Sequence, residues 1–242
     1  MAKATSFLDK LKAKWDEKKF VCIGLDQGNF EFDKKIIDQT YDLVCSYKPN
    51  AAFYKEAELQ KTVSYIKGAH PDIPIILDAK RGDVENTNKA YAKAIFDDLG
   101  VDAVTVNPYL GGEALQPFFE RKGRGIFVLV KTSNPGAGEF QDQIYKVIAE
   151  HVVIWNTNGN IGVVVGATYP KELAEIRKVV GDMPILIPGI GAQGGDLESV
   201  LKNGLNSNKQ GLIISSSRGI IFAPNPREAT LSLDHKIKAA LK

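Results

Sequence analysis

Short apolar runs alternate with amphipathic stretches along most of this chain. The runs are rich in Val and Ile, as in GIFVLV at 125–130, and such runs are typical of strands buried on both faces. The stretches between them carry apolar residues at helical spacing, as in AYAKAIFDDL at 90–99. The pattern predicts strands over 20–25, 46–50, 73–77, 103–107, 125–131, 161–166, 184–188 and 211–215. It predicts helices over 34–44, 56–67, 85–98, 112–119, 140–156, 171–180, 196–202 and 226–241.

This alternation predicts a parallel sheet of the α/β class. Eight strand–helix repeats in 242 residues fit a closed (β/α)8 barrel better than an open doubly wound sheet, which more often has about five or six strands. No linker or low-complexity stretch interrupts the repeats, so we expect residues 1–242 to form a single domain. Residues 1–19 are expected to add a helix capped by Ser6, with Leu8, Leu11 and Trp15 on one face, that closes the bottom of the barrel.

Composition narrows the range of functions. The chain is 44% hydrophobic with a net charge of +2 and no long basic block, so neither nucleic acid nor an anionic membrane is indicated as a partner. Cys22 and Cys45 lie in apolar surroundings without metal-site or redox spacing, which favours a reducing compartment. No signal peptide or membrane span is apparent. We therefore expect a cytoplasmic protein.

Charged residues collect where the first three predicted strands end. Asp26 follows the first strand, Lys48 belongs to the second, and Asp78 and Lys80 follow the third. The carboxyl ends of barrel strands converge on one face, where active sites form. Carboxylates and ammonium groups alternating around that rim would hold one another ionised. The alternative is a structural ion pair at a strand end. Asp83, three residues beyond Lys80, belongs to the loop that leaves the strand.

Two loops at the same rim are candidates for binding phosphate. PGIGAQGGD at 188–196 follows the seventh strand and includes Gln193 and Gly194, and SSSRG at 215–219 follows the eighth and includes Ser217 and Arg218. Loops after strands seven and eight commonly bind phosphate in this architecture, and an arginine fork suits a phosphate dianion. The alternative is a pair of glycine turns beside a solvated arginine.

A third cluster, KTSNPGAG at 131–138, follows the fifth strand. Asn134, Pro135 and Gly136 are a turn signal, and Ser133 is either a ligand contact or a turn residue. The three histidines are scattered singly along the chain, so no metal site is predicted.

Four of these segments, LDAKRGDVENT, VKTSNPGAG, PGIGAQGGD and SSSRG, in this order and spacing, resemble the orotidine 5′-phosphate decarboxylase family. The match is closest to the bacterial subgroup with the AKRGD signature and a YKPN second strand, here residues 47–50. The resemblance extends from about residue 21 to the last helix. It implies decarboxylation of orotidine 5′-monophosphate (OMP) to UMP without a cofactor or metal, in a homodimer with shared active sites.

The resemblance also implies a role for each matching residue. Lys80 would protonate C6 of the pyrimidine as carbon dioxide leaves, and Asp78 would lie beside the substrate carboxylate. Lys48 would bridge the acids and contact the ribose. Asp83 would reach into the neighbouring subunit's site, close to Thr87. The expected substrate-binding set is Asp26 on a ribose hydroxyl, Ser133 on the pyrimidine edge, Gln193 and Arg218 on the phosphate, and Thr87, Pro135, Gly194 and Ser217.

Two features depart from the family pattern. Ile221 occupies the position of a phosphate-binding tyrosine found in some relatives, and residues 1–19 have no assigned counterpart. Three alternatives remain open. One is a Mg²⁺-dependent phosphosugar decarboxylase or aldolase of the same barrel superfamily. The second is a Schiff-base aldolase acting through Lys131, and the third is a nucleotide-binding barrel without catalysis.

Overall fold

The computed structural model of the chain describes residues 5–190 and 195–241. Eight strands in this part of the chain form one sheet, and every pairing between them is parallel. Their bounds are β1 (Val21–Leu25), β2 (Val44–Pro49), β3 (Ile76–Arg81), β4 (Ala103–Val106), β5 (Gly125–Lys131), β6 (Ile161–Val165), β7 (Ile185–Pro188) and β8 (Leu212–Ser216).

The sheet closes on itself. Its order is β2-β1-β8-β7-β6-β5-β4-β3, and the two end strands meet through bridges from Tyr47 to Ile75 and from Asn50 to Asp78. Every residue of β1, β4 and β6 is buried, as expected for parallel strands covered by helices outside and side chains within. The chain is thus a (β/α)8 barrel, as the alternation of the sequence predicts.

Helices follow the strands and surround the barrel. Their bounds are α1 (Phe7–Asp16), α2 (Phe30–Thr40), α3 (Glu56–Ala69), α4 (Glu85–Lys93), α5 (Gly111–Phe119), α6 (Gln141–Trp155), α7 (Pro170–Val180), α8 (Leu197–Gly204), α9 (Arg218–Ile221) and α10 (Pro226–Ala240). No helix in the described ranges is both long enough and apolar enough to cross a membrane.

Helix α1 seals the end of the barrel opposite the strand C-termini. Ser6 and Asp9 form a reciprocal capping box at its start, which satisfies amide groups that the helix itself cannot pair. The buried face consists of Phe7, Leu11 and Trp15, and the Trp15 indole donates to the carbonyl of Leu212 at 2.8 Å. Leu8, expected on this face, is only half-buried. Helix α1 therefore covers the bottom of the barrel.

Several element bounds differ from those predicted. α2 begins and ends four residues earlier than expected, and Asn29 caps its start by accepting the Phe32 amide. β3 continues past Leu77 through Arg81, so Asp78 and Lys80 lie within the strand. α4 runs into a π-helical segment, Ala94–Leu99, which ends at Gly100 in the left-handed conformation. A 3-10 turn, Pro135–Glu139, and the four-residue α9 were not predicted.

Candidate active site

Three charged side chains meet at the C-terminal end of β2 and β3. The Asp78 carboxylate lies between two ammonium groups, with Oδ2 at 2.9 Å from Lys48 Nζ and Oδ1 at 2.6 Å from Lys80 Nζ. The side chain of Lys48 is 7% exposed and that of Asp78 is 13% exposed, whereas that of Lys80 is 50% exposed. Lys48 and Asp78 are therefore held inside the barrel mouth, and Lys80 faces the open space above them.

The surroundings of Lys48 and Asp78 shift the pKa values of both groups. Burial alone would lower the pKa of the Lys48 ammonium, but the Asp78 and Asp26 carboxylates raise that pKa above its ordinary value. Burial alone would raise the pKa of Asp78, but Lys48 and Lys80 together hold it well below its usual range. Lys48 is therefore protonated and Asp78 ionised at neutral pH. A permanent carboxylate faces the same space as a half-exposed ammonium group.

The backbone that carries Asp78 and Lys80 is unusual. Lys80 has a φ of +47°, in the left-handed region that costs a residue with a side chain about 1–2 kcal/mol. Two residues later, a Cβ added to Gly82 would lie 2.4 Å from the Asn107 carbonyl oxygen. Only glycine allows the end of β3 to approach β4 this closely. The AKRGD segment is therefore a specific backbone turn as well as a set of charges.

Asp26 follows β1, the strand that pairs with β2, so it lies beside Lys48 in the barrel mouth. Its Oδ2 accepts the Ser217 hydroxyl at 2.5 Å, which joins the end of β1 to the loop after β8. Its Oδ1 is buried and finds no hydrogen-bond partner within residues 5–190 and 195–241. A buried carboxylate oxygen without a donor is costly unless a ligand supplies one. Asp26 is thus suited to accept a hydroxyl of a bound molecule.

The ends of β7 and β8, with the loops that follow them, form the wall of the barrel mouth opposite the Lys48–Asp78–Lys80 trio. Pro188, Gly189 and Ile190 lie on one side, and Ser215, Ser216, Ser217 and Arg218 lie on the other. Arg218 is exposed at the start of α9. Ile221, at the position of the family's tyrosine, is 2% exposed. Gln193 and Gly194, both predicted to bind phosphate, lie outside the described residues.

The segment after β5 lies along the rim between these walls. Thr132, Ser133 and Asn134 face the cavity. The Gln141 side chain at the start of α6 accepts the Thr132 amide at 2.7 Å and donates to its hydroxyl at 2.8 Å. Gln141 was not singled out from the sequence, although it fixes the backbone beside Ser133. Pro135 begins the 3-10 turn beyond this point and is exposed.

Together these groups enclose a cavity of about 680 Å³ at the strand C-termini. Its polar groups cluster at the Lys48–Asp78–Lys80 side and along the β7 and β8 loops. Apolar side chains form the wall between them, and sequence reasoning did not identify these: Leu129, Val164, Leu186, Ile190 and Phe53. A cavity with a few convergent polar groups and an apolar wall is typical of a small-molecule site.

Two predicted site residues lie apart from the cavity. In the described part of the chain, neither Asp83 nor Thr87 lines it. Asp83 is half-buried at the start of α4, where its Oδ1 accepts the Val84 amide at 2.7 Å. Asn88 accepts the Asp83 amide at 3.1 Å and donates to its carbonyl at 2.6 Å. The Asp83 backbone is therefore fixed at a position outside its own barrel mouth.

Lys131, the candidate for Schiff-base chemistry, also lies apart from the cavity. Its side chain is fully buried, forms an ion pair with Asp142, and places Nζ 4.3 Å from the centre of the Tyr169 ring. A fully buried side chain that is engaged by a carboxylate and an aromatic face is not available to attack a substrate carbonyl. Its surroundings are those of a structural lysine. Among the described residues, no group of three or more His, Cys, Asp or Glu side chains is arranged to hold a metal ion.

Comparison with known proteins finds a matching family profile and similar full-length relatives. Residues 19–233 match the profile described as "Orotidine 5'-phosphate decarboxylase / HUMPS family". The orotidine 5′-phosphate decarboxylase of Cupriavidus metallidurans is 42% identical over 94% of this chain and 93% of that protein. The enzyme of the same name from Cellvibrio japonicus is 42% identical over 97% of this chain and 99% of its own length.

Solved structures give the same result. The OMP decarboxylase of Leishmania donovani superposes with a TM-score of 0.91 at 37% identity, and the match covers 98% of this chain and 99% of that one. The Leishmania donovani UMP synthase superposes with a TM-score of 0.93 at 38% identity, and the match covers 56% of that longer chain.

Proposed function

Because this chain belongs to the orotidine 5′-phosphate decarboxylase/HUMPS family, we propose that it converts OMP to UMP and carbon dioxide. The observation that carries the proposal is the Asp78 carboxylate held between Lys48 and Lys80, beside an apolar wall and facing the β7 and β8 loops. This cavity can hold a phosphate at one end and place the pyrimidine ring beside a proton donor at the other. No cofactor or metal is part of the proposed reaction.

Lys80 is the proposed proton donor. As the bond from C6 to the carboxylate breaks, its electron pair remains on C6, carbon dioxide departs, and the Lys80 ammonium transfers a proton to C6. The ion pair with Asp78 at 2.6 Å holds the Lys80 side chain in position on one side of the cavity. Its half-exposed Nζ then recovers a proton from solvent. A charged donor next to a developing carbanion stabilises the transition state more than the ground state.

Asp78 is the proposed neighbour of the substrate carboxylate. An ionised side chain there either repels that carboxylate or holds both lysines in place, and its strongly lowered pKa serves either role. Lys48, bridging the acids, would contact the ribose. The unpartnered Oδ1 of Asp26 is the proposed acceptor for a ribose hydroxyl, with Ser217 holding the other oxygen.

The remaining contacts follow the length of the cavity. We place the phosphate at Arg218 and the Ser217 loop, with Gln193 and Gly194 completing the site. The pyrimidine edge lies at Ser133, whose backbone is fixed through Thr132 and Gln141, with Pro135 beside it. Binding energy from the phosphate, far from C6, would then help to close the site around the reacting atoms.

We also propose a homodimer in which Asp83 and Thr87 serve the partner's site. Their position outside the cavity of their own barrel supports this. Apolar side chains on the same side of the barrel are exposed to solvent: Val84 beside Asp83, Tyr109 and Leu110 after β4, and Ile144 and Val147 on α6. Tyr109 and Val147 line one groove. An exposed apolar surface of this kind is typical of a protein interface.

Two further proposals concern the chain as a whole. Residues 1–242 act as one catalytic domain, because α1 packs into the bottom of the barrel rather than forming a separate unit. A cytoplasmic location is supported by the free, buried thiols of Cys22 and Cys45, which are typical of proteins in reducing compartments.

The test follows the loss of orotate-type ultraviolet absorbance when the protein is added to OMP in the presence of EDTA. We expect rapid decay with the wild type and a decrease of at least about 10²-fold in kcat for Lys80→Ala. Lys61→Ala is the matched control, since Lys61 pairs with Glu58 on the exposed face of α3 and its removal should leave kcat unchanged. Decay that requires added Mg²⁺ and is lost in EDTA would support the phosphosugar chemistry, and no decay at all would refute the proposed reaction.

A further inference from the structure

The pairing of β3 with β4 loses its register at the active site. Leu77 pairs with Val104 and Arg81 pairs with Val106, so three residues of β3, Asp78 to Lys80, stand opposite the single residue Thr105 of β4. A bulge of this kind leaves backbone amides of the longer strand without their ladder partners. The residues inside the bulge are those that carry the charged groups.

The side chain of Thr105 replaces the missing partners. Its Oγ1 accepts the amide of Ala79 at 3.0 Å and the amide of Lys80 at 3.0 Å. The same hydroxyl donates to Asp78 Oδ1 at 2.9 Å. One hydroxyl has one proton and two lone pairs, so these three bonds use its full capacity. Thr105 thus contacts the backbone of Ala79 and Lys80 and the carboxylate of Asp78.

The bulge needs such a support. Lys80 adopts the left-handed conformation, which residues with side chains avoid unless their surroundings impose it. That conformation turns Lys80 so that its Nζ meets Asp78 Oδ1, the oxygen that also accepts the Thr105 hydroxyl. The geometry of the Lys80–Asp78 pair is therefore set through Thr105 on two sides, by the backbone and by the carboxylate.

From these contacts we infer that Thr105 is a positioning residue, which holds the β3 bulge so that Lys80 is aimed at the reacting carbon and Asp78 is fixed beside it. The inference rests on the proposed function for its catalytic consequence, but its structural part stands alone. Thr105 lines the cavity and is 1% exposed, so the same site could instead require only a side chain of this volume. The test separates the hydroxyl from the volume.

Thr105→Val removes the hydroxyl and keeps the branched shape, whereas Thr105→Ser keeps the hydroxyl and removes the methyl group. Thr230→Val is the matched control. Thr230 is likewise fully buried, its hydroxyl donates to the Pro226 carbonyl at 2.8 Å, and it lies on α10 rather than in the cavity. Each variant is checked for folding by its thermal unfolding midpoint and by UMP binding.

The first readout is amide hydrogen exchange at individual residues, measured by NMR. In Thr105→Val the amides of Ala79 and Lys80 lose their acceptor, so their exchange should quicken by at least about tenfold relative to the β1 and β6 amides. Thr105→Ser should retain the wild-type protection at both positions, and Thr230→Val should leave them unchanged. Unchanged exchange of both amides in Thr105→Val would overturn the inference.

The second readout is steady-state decarboxylation of OMP. We expect kcat of Thr105→Val to decrease about 10²-fold, because an error near 1 Å in a reacting group has an effect of this size. The KM and the affinity for UMP should change less than about threefold, because the ribose and phosphate contacts are untouched. Thr105→Ser should recover kcat to within about fivefold of the wild type.

The outcomes separate the two hypotheses. A wild-type enzyme active on OMP with Thr105→Val equally active contradicts the positioning role and leaves the proposed function intact. A low kcat in both Thr105→Val and Thr105→Ser also contradicts it, since volume rather than the hydroxyl then matters. An inactive wild type refutes the proposed function, and the exchange rates of Ala79 and Lys80 still test the bulge.

Discussion

Asp33 and Asp38 lie on the same helix, α2, but their pKa values are shifted in opposite directions. Asp33 is fully buried, and its Oδ2 accepts the Tyr54 hydroxyl at 2.5 Å and the Thr62 hydroxyl at 3.0 Å. Burial raises the pKa of Asp33 to about 6 despite these two bonds. For the exposed Asp38, hydrogen bonds from Lys34 and Tyr65 outweigh burial and lower its pKa.

We predict that Asp33 makes the protein less stable as pH rises from about 4 to 6. Its folded-state pKa exceeds the unfolded value, so its contribution is fully present below pH 4 and is lost through pH 6. Between pH 4.5 and pH 7.5 the loss amounts to about 2 kcal/mol. Asp33→Asn retains an acceptor oxygen without the charge. Its free energy of unfolding in urea, relative to wild type, should therefore be higher at pH 7.5 than at pH 4.5 by that amount.

Asp38→Asn is the control on the same helix, with the opposite sign. A lowered folded-state pKa contributes stability above the unfolded pKa, which is lost as the pH falls through the folded value. Because pH 4.5 and pH 7.5 both lie above these pKa values, the stability of Asp38→Asn relative to wild type should be nearly the same at the two, and the variant should gain on the wild type only below about pH 4. A difference between Asp33→Asn and wild type that does not change with pH would show that the Asp33 carboxyl is not titrating in this range.

At the scale of elements, the Arg177 side chain links several loop segments at the bottom of the barrel. It extends from α7, is 9% exposed, and donates to the carbonyls of Gly204 at 2.7 Å, Gly181 at 2.5 Å, Met183 at 2.7 Å and Gly211 at 3.1 Å. Burial lowers the pKa of its guanidinium to about 10, so it is still charged at neutral pH. One side chain thus satisfies carbonyls in the segments that lead into β7 and β8.

We predict that Arg177→Met lowers the free energy of unfolding by at least about 3 kcal/mol, because four carbonyls lose their donor. The control is Lys178→Met on the exposed side of the same helix, where the change should stay within about 0.5 kcal/mol. Urea unfolding followed by circular dichroism measures both. Equal stability of the two variants would mean that solvent replaces the donor at these carbonyls.

The order of the elements could be predicted from the sequence because its causes are local. Apolar runs and helical periodicity give the eight repeats, and Gly100 marks the end of its helix as predicted. The meeting of Lys48 with Asp78 and Lys80 follows from a general rule, since parallel strands bring their carboxyl ends together. The start of α2 could also have been found, because Asn29 is a typical N-cap residue.

The rest of the site depends on contacts between strands. Leu129, Val164 and Leu186 lie in runs that are apolar at nearly every position, so periodicity does not distinguish the side chains facing the cavity from those facing the helices. In the sequence of β4, AVTV, nothing distinguishes Thr105 from an ordinary strand residue. Its role arises only because β3 slips in register opposite it, and the sequence of either strand alone contains no sign of that slip.

For the whole molecule, the two ends of the barrel have different tasks. The bottom is closed by α1, where Lys10 pairs with Asp102 at 2.9 Å and Asp102 also accepts the Ile75 amide at 2.9 Å. The top carries the cavity and the charged trio. Asp83 belongs to neither, since it lies at the start of α4 next to the exposed Val84. A second copy of the chain is what would give this carboxylate a site to act on.

This arrangement predicts complementation between two inactive variants. Lys80→Ala lacks the proton donor in its own cavity, and Asp83→Ala lacks the group proposed to act in the partner's cavity. In a mixed dimer, one cavity contains both defects and the other contains neither. After full exchange of an equal mixture, half of the dimers are mixed, so about a quarter of the wild-type kcat should return. Loss of OMP absorbance measures the activity, and native mass spectrometry of tagged subunits measures the exchange.

The matched control is a mixture of Lys80→Ala with Asp78→Ala. Asp78 and Lys80 are in contact within one barrel, so every cavity in that mixed dimer lacks one of the two groups and no activity should return. Recovery in the first mixture and none in the control requires that Asp83 act across the subunit interface, because only groups in different chains can be restored by exchange. Full exchange without recovery in either mixture would indicate that Asp83 acts in the site of its own subunit.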